Sequence, residues 1–149
     1  MAIEIVNRQT RRKLSCLRVK KTARKILESL DQNQVELSLA LVGNREIQKL
    51  NARYRNRNEP TDVLSFPSGE TLPTGIQILG DVVISVGKAE EQARKRRKTL
   101  EQEMESLLIH GILHLLGYDH ERSEKDAKIM REMEKKVSRA LCGAKALRV

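Results

Sequence analysis

The sequence predicts one domain that combines a small set of strands with four to five helices, and three observations predict it. Its 149 residues match the length of one ordinary domain, enough to bury a real core and too few for two. Four short runs, IEIVN (3–7), VELSLALV (35–42), DVLSF (62–66) and LGDVVISV (79–86), carry the β-branched or alternating pattern of strands. The stretches between and after them show helical periodicity with start and stop signals. No internal repeat and no interdomain linker divides the chain, so residues 1–149 read as a single domain.

In chain order, the strand at 3–7 comes first. Leu14, Leu17, Ala23, Ile26, Leu27 and Leu30 then form a rough helical stripe whose intervening Lys and Arg cover the outer face, which predicts a helix over 14–30. After the strand at 35–42, Asn44 can cap a second helix carrying Ile47, Leu50 and Tyr54. That helix must end before Pro60, because the residue preceding a proline avoids the helical region, and 55–61 is left as a loop. PSGETLPTG (67–75) is dense in turn formers and reads as a wide hairpin connection, a candidate flap beside a site. Residues 86–98 read as a short, very basic helix. Thr99 with Gln102 is a capping-box pattern that restarts a helix running to Leu116, and Ser123 with Asp126 offers a similar start for a last helix to about 141.

Hydrophobic residues make up 39% of the chain and charged residues 33%, with one Phe, two Tyr and no Trp, so the core must be built from Leu, Ile, Val and Ala. The formal charge of +9 favours polyanions, nucleic acid before anionic membrane. The amino terminus lacks the apolar run of a signal peptide and no stretch approaches the ~20 apolar residues that span a bilayer, so a cytoplasmic location without membrane association is expected. Cys16 and Cys142 lie at opposite ends without a pairing pattern and receive no role.

All three histidines fall within HGILHLLGYDH (110–120). His110 and His114 are four apart on a helix and project from one face, with Cβ atoms roughly 5–6 Å apart. Gly117 stands where a helix end needs the left-handed conformation, so the chain can reverse and bring His120 to the same point. Three neutral imidazoles leave one tetrahedral position open, the arrangement of catalytic zinc, and one zinc per chain is expected. The competing reading makes His110 and His114 core histidines and His120 a surface residue; it must bury two imidazoles in LLIHGILHLLG without partners, which is costly.

The spacing equals the H-E-x-x-H-x-x-G-x-x-H of metzincin proteases, with Gly111 where their glutamate stands. That glutamate is the base that takes the proton from zinc-bound water, so its absence removes much of the protease mechanism and leaves peptide or small-ester hydrolysis as an alternative. A metal-activated water near a basic surface suits attack on a phosphodiester, and a metal-dependent nuclease fits both signals.

At this point the chain resembles the YbeY-type single-strand-specific endoribonucleases, also called rRNA maturation factors. The residues that carry the likeness are YRNRNEPTDVLSFP (54–67), LGDVVIS (79–85) and HGILHLLGYDH (110–120), over about residues 35–135. The resemblance implies an α+β fold with a small mixed four-stranded sheet, zinc on His110, His114 and His120, and a role in ribosomal RNA 3′-end processing and ribosome quality control. It implies RNA partners, ribosomal RNA and the small ribosomal subunit, with no DNA specificity. It also makes Arg55 the arginine important for cleavage, in a loop block that contributes Thr61 and Asp62, and His114 part of the catalytic set. A non-catalytic ribosome- or RNA-binding factor with structural zinc is the alternative from another class.

Asp81, in LGDVVIS, is a candidate to orient water or hold a ligand histidine if its strand borders the metal cleft, or else a plain strand-end Asp. Arg94, Arg96 and Arg97 in the run 94–98, and the cluster Arg8, Arg11, Arg12 and Lys13, are phosphate-contact candidates, set against the ordinary solvated charged face. With so few aromatic rings, RNA binding should rest on backbone and shape more than on base stacking.

Overall fold

The computed structural model describes residues 1–146. Its elements follow one another as β1 (Ala2–Asn7), α1 (Cys16–Ser29), β2 (Val35–Val42), α2 (Asn44–Arg55), β3 (Val63–Thr71), β4 (Gln77–Ser85), α3 (Val86–Arg96), α4 (Leu100–Leu115) and α5 (Glu124–Ala146). The strands form one sheet in the order β1-β2-β4-β3, with β1, β2 and β4 mutually parallel and β3 antiparallel on β4. This is the α+β arrangement with a mixed four-stranded sheet that the resemblance implies. No helix among the described residues is long and apolar enough to cross a membrane.

The layers follow from the apolar pattern. Along β2, Val35, Leu37, Leu39 and Leu41 are buried and join the main core with the alternate β4 residues Val82 and Ile84. Against that face lie α1, through Val19, Ala23, Ile26 and Leu27, and α4, through Leu107, Leu108, Ile112 and Leu113. Full burial of such a side chain contributes about 1.5–3 kcal/mol, which is why α4, apolar almost all round, occupies the centre. The opposite face carries α2 over a smaller cluster of Val42, Ile47, Leu64 and Val83.

Local signals set the helix ends. Thr99 and Gln102 form the reciprocal capping box, and Ser15 and Ser85 cap α1 and α3 through their hydroxyls. Three expectations are corrected. Gly43, not Asn44, is the residue before α2, because the Asn44 carboxamide oxygen accepts from the Ser85 hydroxyl instead. The 67–75 connection is narrower than its composition indicates: β3 continues to Thr71 across an irregularity between Pro67 and Glu70, and the reversal is confined to Leu72–Ile76, where the Leu72 N–H donates to the Ile76 carbonyl. None of these hairpin residues lines the cleft described below, so they form no flap over it. The last helix runs five residues beyond the expected 141, to Ala146.

Candidate metal centre

At the end of α4 the backbone does what its sequence requires. Gly117 takes φ +101°, the Tyr118 N–H returns to the Leu113 carbonyl, and the chain folds back over the last turn. Asp119 then accepts the Glu121 N–H on Oδ1 at 2.8 Å and lies 3.7 Å from Arg122, which closes a tight turn around His120. That backbone hydrogen bond is the first cause holding the Asp119 carboxyl below its ordinary range, with help from the charges of His114, Arg122 and His120.

The three rings converge. Their centroids are 4.9, 5.0 and 5.3 Å apart, and one nitrogen from each lies within 4.8 Å of the others. His114 Nε2 and His120 Nδ1 are separated by 3.2 Å. Two nitrogens bound to one tetrahedral ion at ~2.0–2.1 Å stand about 3.3–3.4 Å apart, so this pair already has the spacing of two ligands. Burial holds the His114 imidazole below its ordinary pKa, followed by the charges of His110 and His120 and, more weakly, of Arg55. It is therefore neutral at pH 7, which is the ligating form. The residues fit a divalent ion of the N-ligated class.

A support for this set comes from α5, where Glu134 Oε2 lies 3.6 Å from His110 Nδ1. A carboxylate there favours the tautomer with its proton on Nδ1 and the lone pair on Nε2. No sequence signal singles out Glu134, one of many charged residues on a long polar helix.

The rings sit in a cleft of about 560 Å³ whose other wall is the end of α2, the 55–61 loop and the free edge of β3. Arg55, Thr61 and Asp62, the residues of the loop block, all line it, and so do Asn51, Arg57, Glu59, Ser65 and Glu121. Arg55 is exposed, and its Nη2 donates to the Ser65 carbonyl at 3.4 Å. The buried Asn51 donates to the Glu59 carbonyl at 2.9 Å and accepts the Arg57 N–H, which pins the loop to its helix. Asp62 is held by the Val63 N–H and by the Gln92 carboxamide of α3.

Gly111 is packed against the sheet. A Cβ there would lie 2.6 Å from Val82 Cγ1 and 3.4 Å from Ser65 Oγ, and the Gly111 carbonyl accepts the Ser65 hydroxyl. The position that bears a glutamate in metzincins faces a wall of β4 with no room for a side chain.

The remaining sequence candidates lie elsewhere. Asp81 is exposed and outside the cleft; its neighbour Val82 faces α4, so the alternation of a strand turns Asp81 to the other side of the sheet. Arg94 pairs with Glu90 at 2.6 Å and Arg96 with Glu103 at 2.9 Å, while Arg97 closes α3 at φ +55°. None of the three borders the histidines.

A family model described as Endoribonuclease YbeY matches residues 4–142. Relatives named Endoribonuclease YbeY include one from Aquifex aeolicus, 47% identical over 135 residues that cover 88% of this chain and 89% of the relative. Another, from a Sulfurihydrogenibium species, is 48% identical over 119 residues, 80% of this chain and 78% of the relative. A protein of Thermotoga maritima solved in solution superposes with a TM-score of 0.66 at 31% identity, covering 98% of this chain and 93% of its own.

Proposed function

The chain belongs to the endoribonuclease YbeY family, and from that premise we propose that it is a metal-dependent hydrolase that cleaves single-stranded RNA. Its work is the maturation of ribosomal RNA 3′ ends and ribosome quality control, in the cytoplasm, with ribosomal RNA and the small ribosomal subunit as partners. One zinc per chain sits on His110, His114 and His120. The observation that carries this reading is the convergence of three imidazole nitrogens within 4.8 Å in a cleft that also holds Arg55.

The bound ion supplies a Lewis acid and lowers the pKa of a coordinated water towards ~7. The chain's own residues do the rest. His114 is kept neutral by its surroundings and so keeps its lone pair for coordination. Glu134 orients His110, and the Asp119 turn holds His120 in place. Arg55, tethered lightly to the Ser65 carbonyl, presents a guanidinium across the cleft that can take a phosphate in a bidentate grip and balance the charge that builds during phosphodiester hydrolysis.

Peptide hydrolysis is disfavoured by the same packing that fixes the helix, since Gly111 abuts Val82 and no carboxylate can stand beside the metal at that position. The deciding experiment presents single-stranded RNA and casein side by side to the zinc-loaded protein, with and without chelator. Chelator-sensitive RNA cleavage with intact casein supports the proposal; chelator-sensitive proteolysis, or RNA binding without cleavage above the metal-free level, overturns it.

A further inference from the structure

The two basic segments of the sequence, far apart in the chain, meet on one carboxylate. Glu90 of α3 is buried, with its side chain 11% exposed, and it is approached by Arg94 at 2.6 Å, Arg12 at 3.3 Å and Arg11 at 3.4 Å. Three guanidinium charges face one carboxylate, an excess of two positive charges in one place. The arginine side chains stay 50–73% exposed, so each keeps donors turned to solvent.

The loop that brings Arg11 and Arg12 to α3 is built rather than loose. Gln9 is buried; its amide donates to the Arg12 carbonyl at 2.7 Å and to Asn7 Oδ1, and its carbonyl oxygen accepts the Arg12 N–H at 3.0 Å. Arg8 is anchored on α2 through Glu46 at 3.0 Å. A side chain held in this way loses less entropy when it takes a ligand than one on a free surface. The rest of the 94–98 run is different: Lys95 pairs with Glu91, and Arg96 with the fully buried Glu103.

The cluster also stands in a definite relation to the cleft. Gln92, two residues along α3 from Glu90, donates to Asp62 at the cleft wall. Residues two apart on a helix point about 200° apart, so the arginine cluster lies on the side of α3 opposite to the one that meets Asp62, a residue of the cleft wall. We propose that Arg11, Arg12 and Arg94, gathered by Glu90, form a second binding site for the phosphate backbone of RNA, which holds the strand after it leaves the metal cleft. This rests on the endoribonuclease reading, since it takes the bound polyanion to be RNA.

The test measures binding of a single-stranded RNA of about 20 nucleotides to the zinc-loaded protein across a salt series. The variants are Arg11→Gln/Arg12→Gln/Arg94→Gln, the double variant Arg11→Gln/Arg94→Gln that leaves Arg12 on Glu90, and a control, Lys20→Gln/Lys21→Gln/Arg24→Gln, that removes the same charge from α1. Glutamine keeps amide donors toward Glu90, and the double variant serves if the triple does not fold. The triple variant should bind at least about tenfold more weakly at 0.1 M salt, with a log–log salt slope about 2 smaller, as expected for three lost phosphate contacts on a single strand; the double variant should lose about two-thirds of that slope. The control should change the slope by less than 1. Unchanged affinity and slope in the arginine variants, or an equal loss in the control, overturns the second site while wild-type RNA cleavage leaves the endoribonuclease reading standing. A wild-type protein that neither binds nor cleaves RNA overturns both.

Discussion

The hydroxyl of Ser65 donates to the carbonyl of Gly111 at 3.1 Å, and this bond ties the strand that walls the cleft to the helix that carries His110 and His114. The same contact explains why glycine stands between the two histidines. The helix lies so close to β4 that a Cβ would enter the van der Waals radius of Val82 Cγ1, at 2.6 Å. The helix that carries His110 and His114 is therefore positioned by backbone contact with the sheet, and the departure from the metzincin pattern is a packing feature as well as a chemical one.

Gly111→Ala should lower stability by about 1–3 kcal/mol, the usual cost of overpacking a close-packed contact, and should weaken metal binding because the helix must move from Ser65. Chemical denaturation and zinc competition with a colorimetric chelator check both. A variant with wild-type stability and wild-type zinc affinity would show that the close approach is not needed.

Metal retention should depend on pH in a definite direction. The folded-state pKa of His114 lies below the ordinary 6.5, first because of burial, so the folded protein takes up this proton less readily than the unfolded chain. The stability that this neutral ring contributes is present above pH 6.5 and is lost as pH falls through the depressed folded value, and zinc, which needs the neutral ring, is lost as protons compete. Glu134→Ala should weaken zinc affinity by ~10–100-fold, typical of removing a histidine-orienting carboxylate, and should move release to higher pH. Zinc content after dialysis between pH 5 and 8 measures this; full retention at pH 5 by both proteins would contradict it.

Arg55→Ala should keep its zinc and most of its RNA affinity while cleaving ~10²–10³ times more slowly, the cost typical of removing one preorganised charge-stabilising donor. Its guanidinium makes one long hydrogen bond to Ser65, at 3.4 Å, so little of the fold depends on it. Single-turnover cleavage at the wild-type rate would remove Arg55 from the catalytic set.

Much of this was legible in the sequence, for local reasons. The histidine helix, its capping box and the Gly117 reversal are set by neighbours within a few residues, and these bring His110, His114 and His120 together within one short stretch of chain. Arg55 ends α2 and a short loop joins it to Thr61 and Asp62, so their common presence in the cleft follows from one turn of chain. What was hidden depends on long-range packing. Ser65 reaches Gly111 across 46 residues, Glu134 meets His110 from a helix that carries many similar charges, and Arg11 and Arg12 meet Glu90 across 79 and 78 residues. Asp81 lies outside the cleft because strand alternation, and not its place in a recognisable block, decides which face of the sheet a side chain occupies.

Whether RNA hydrolysis takes place at the three-histidine centre is read out by single-turnover cleavage of a single-stranded RNA by one protein sample, followed through removal and return of zinc. Cleavage by the loaded protein should fall to the background rate when a chelator strips the metal and should return in proportion to zinc added, up to one equivalent per chain. His114→Ala, folded but left with two imidazoles, should stay at background at every zinc level. Cleavage that persists in the stripped protein, or in His114→Ala at the wild-type rate, would place RNA hydrolysis elsewhere.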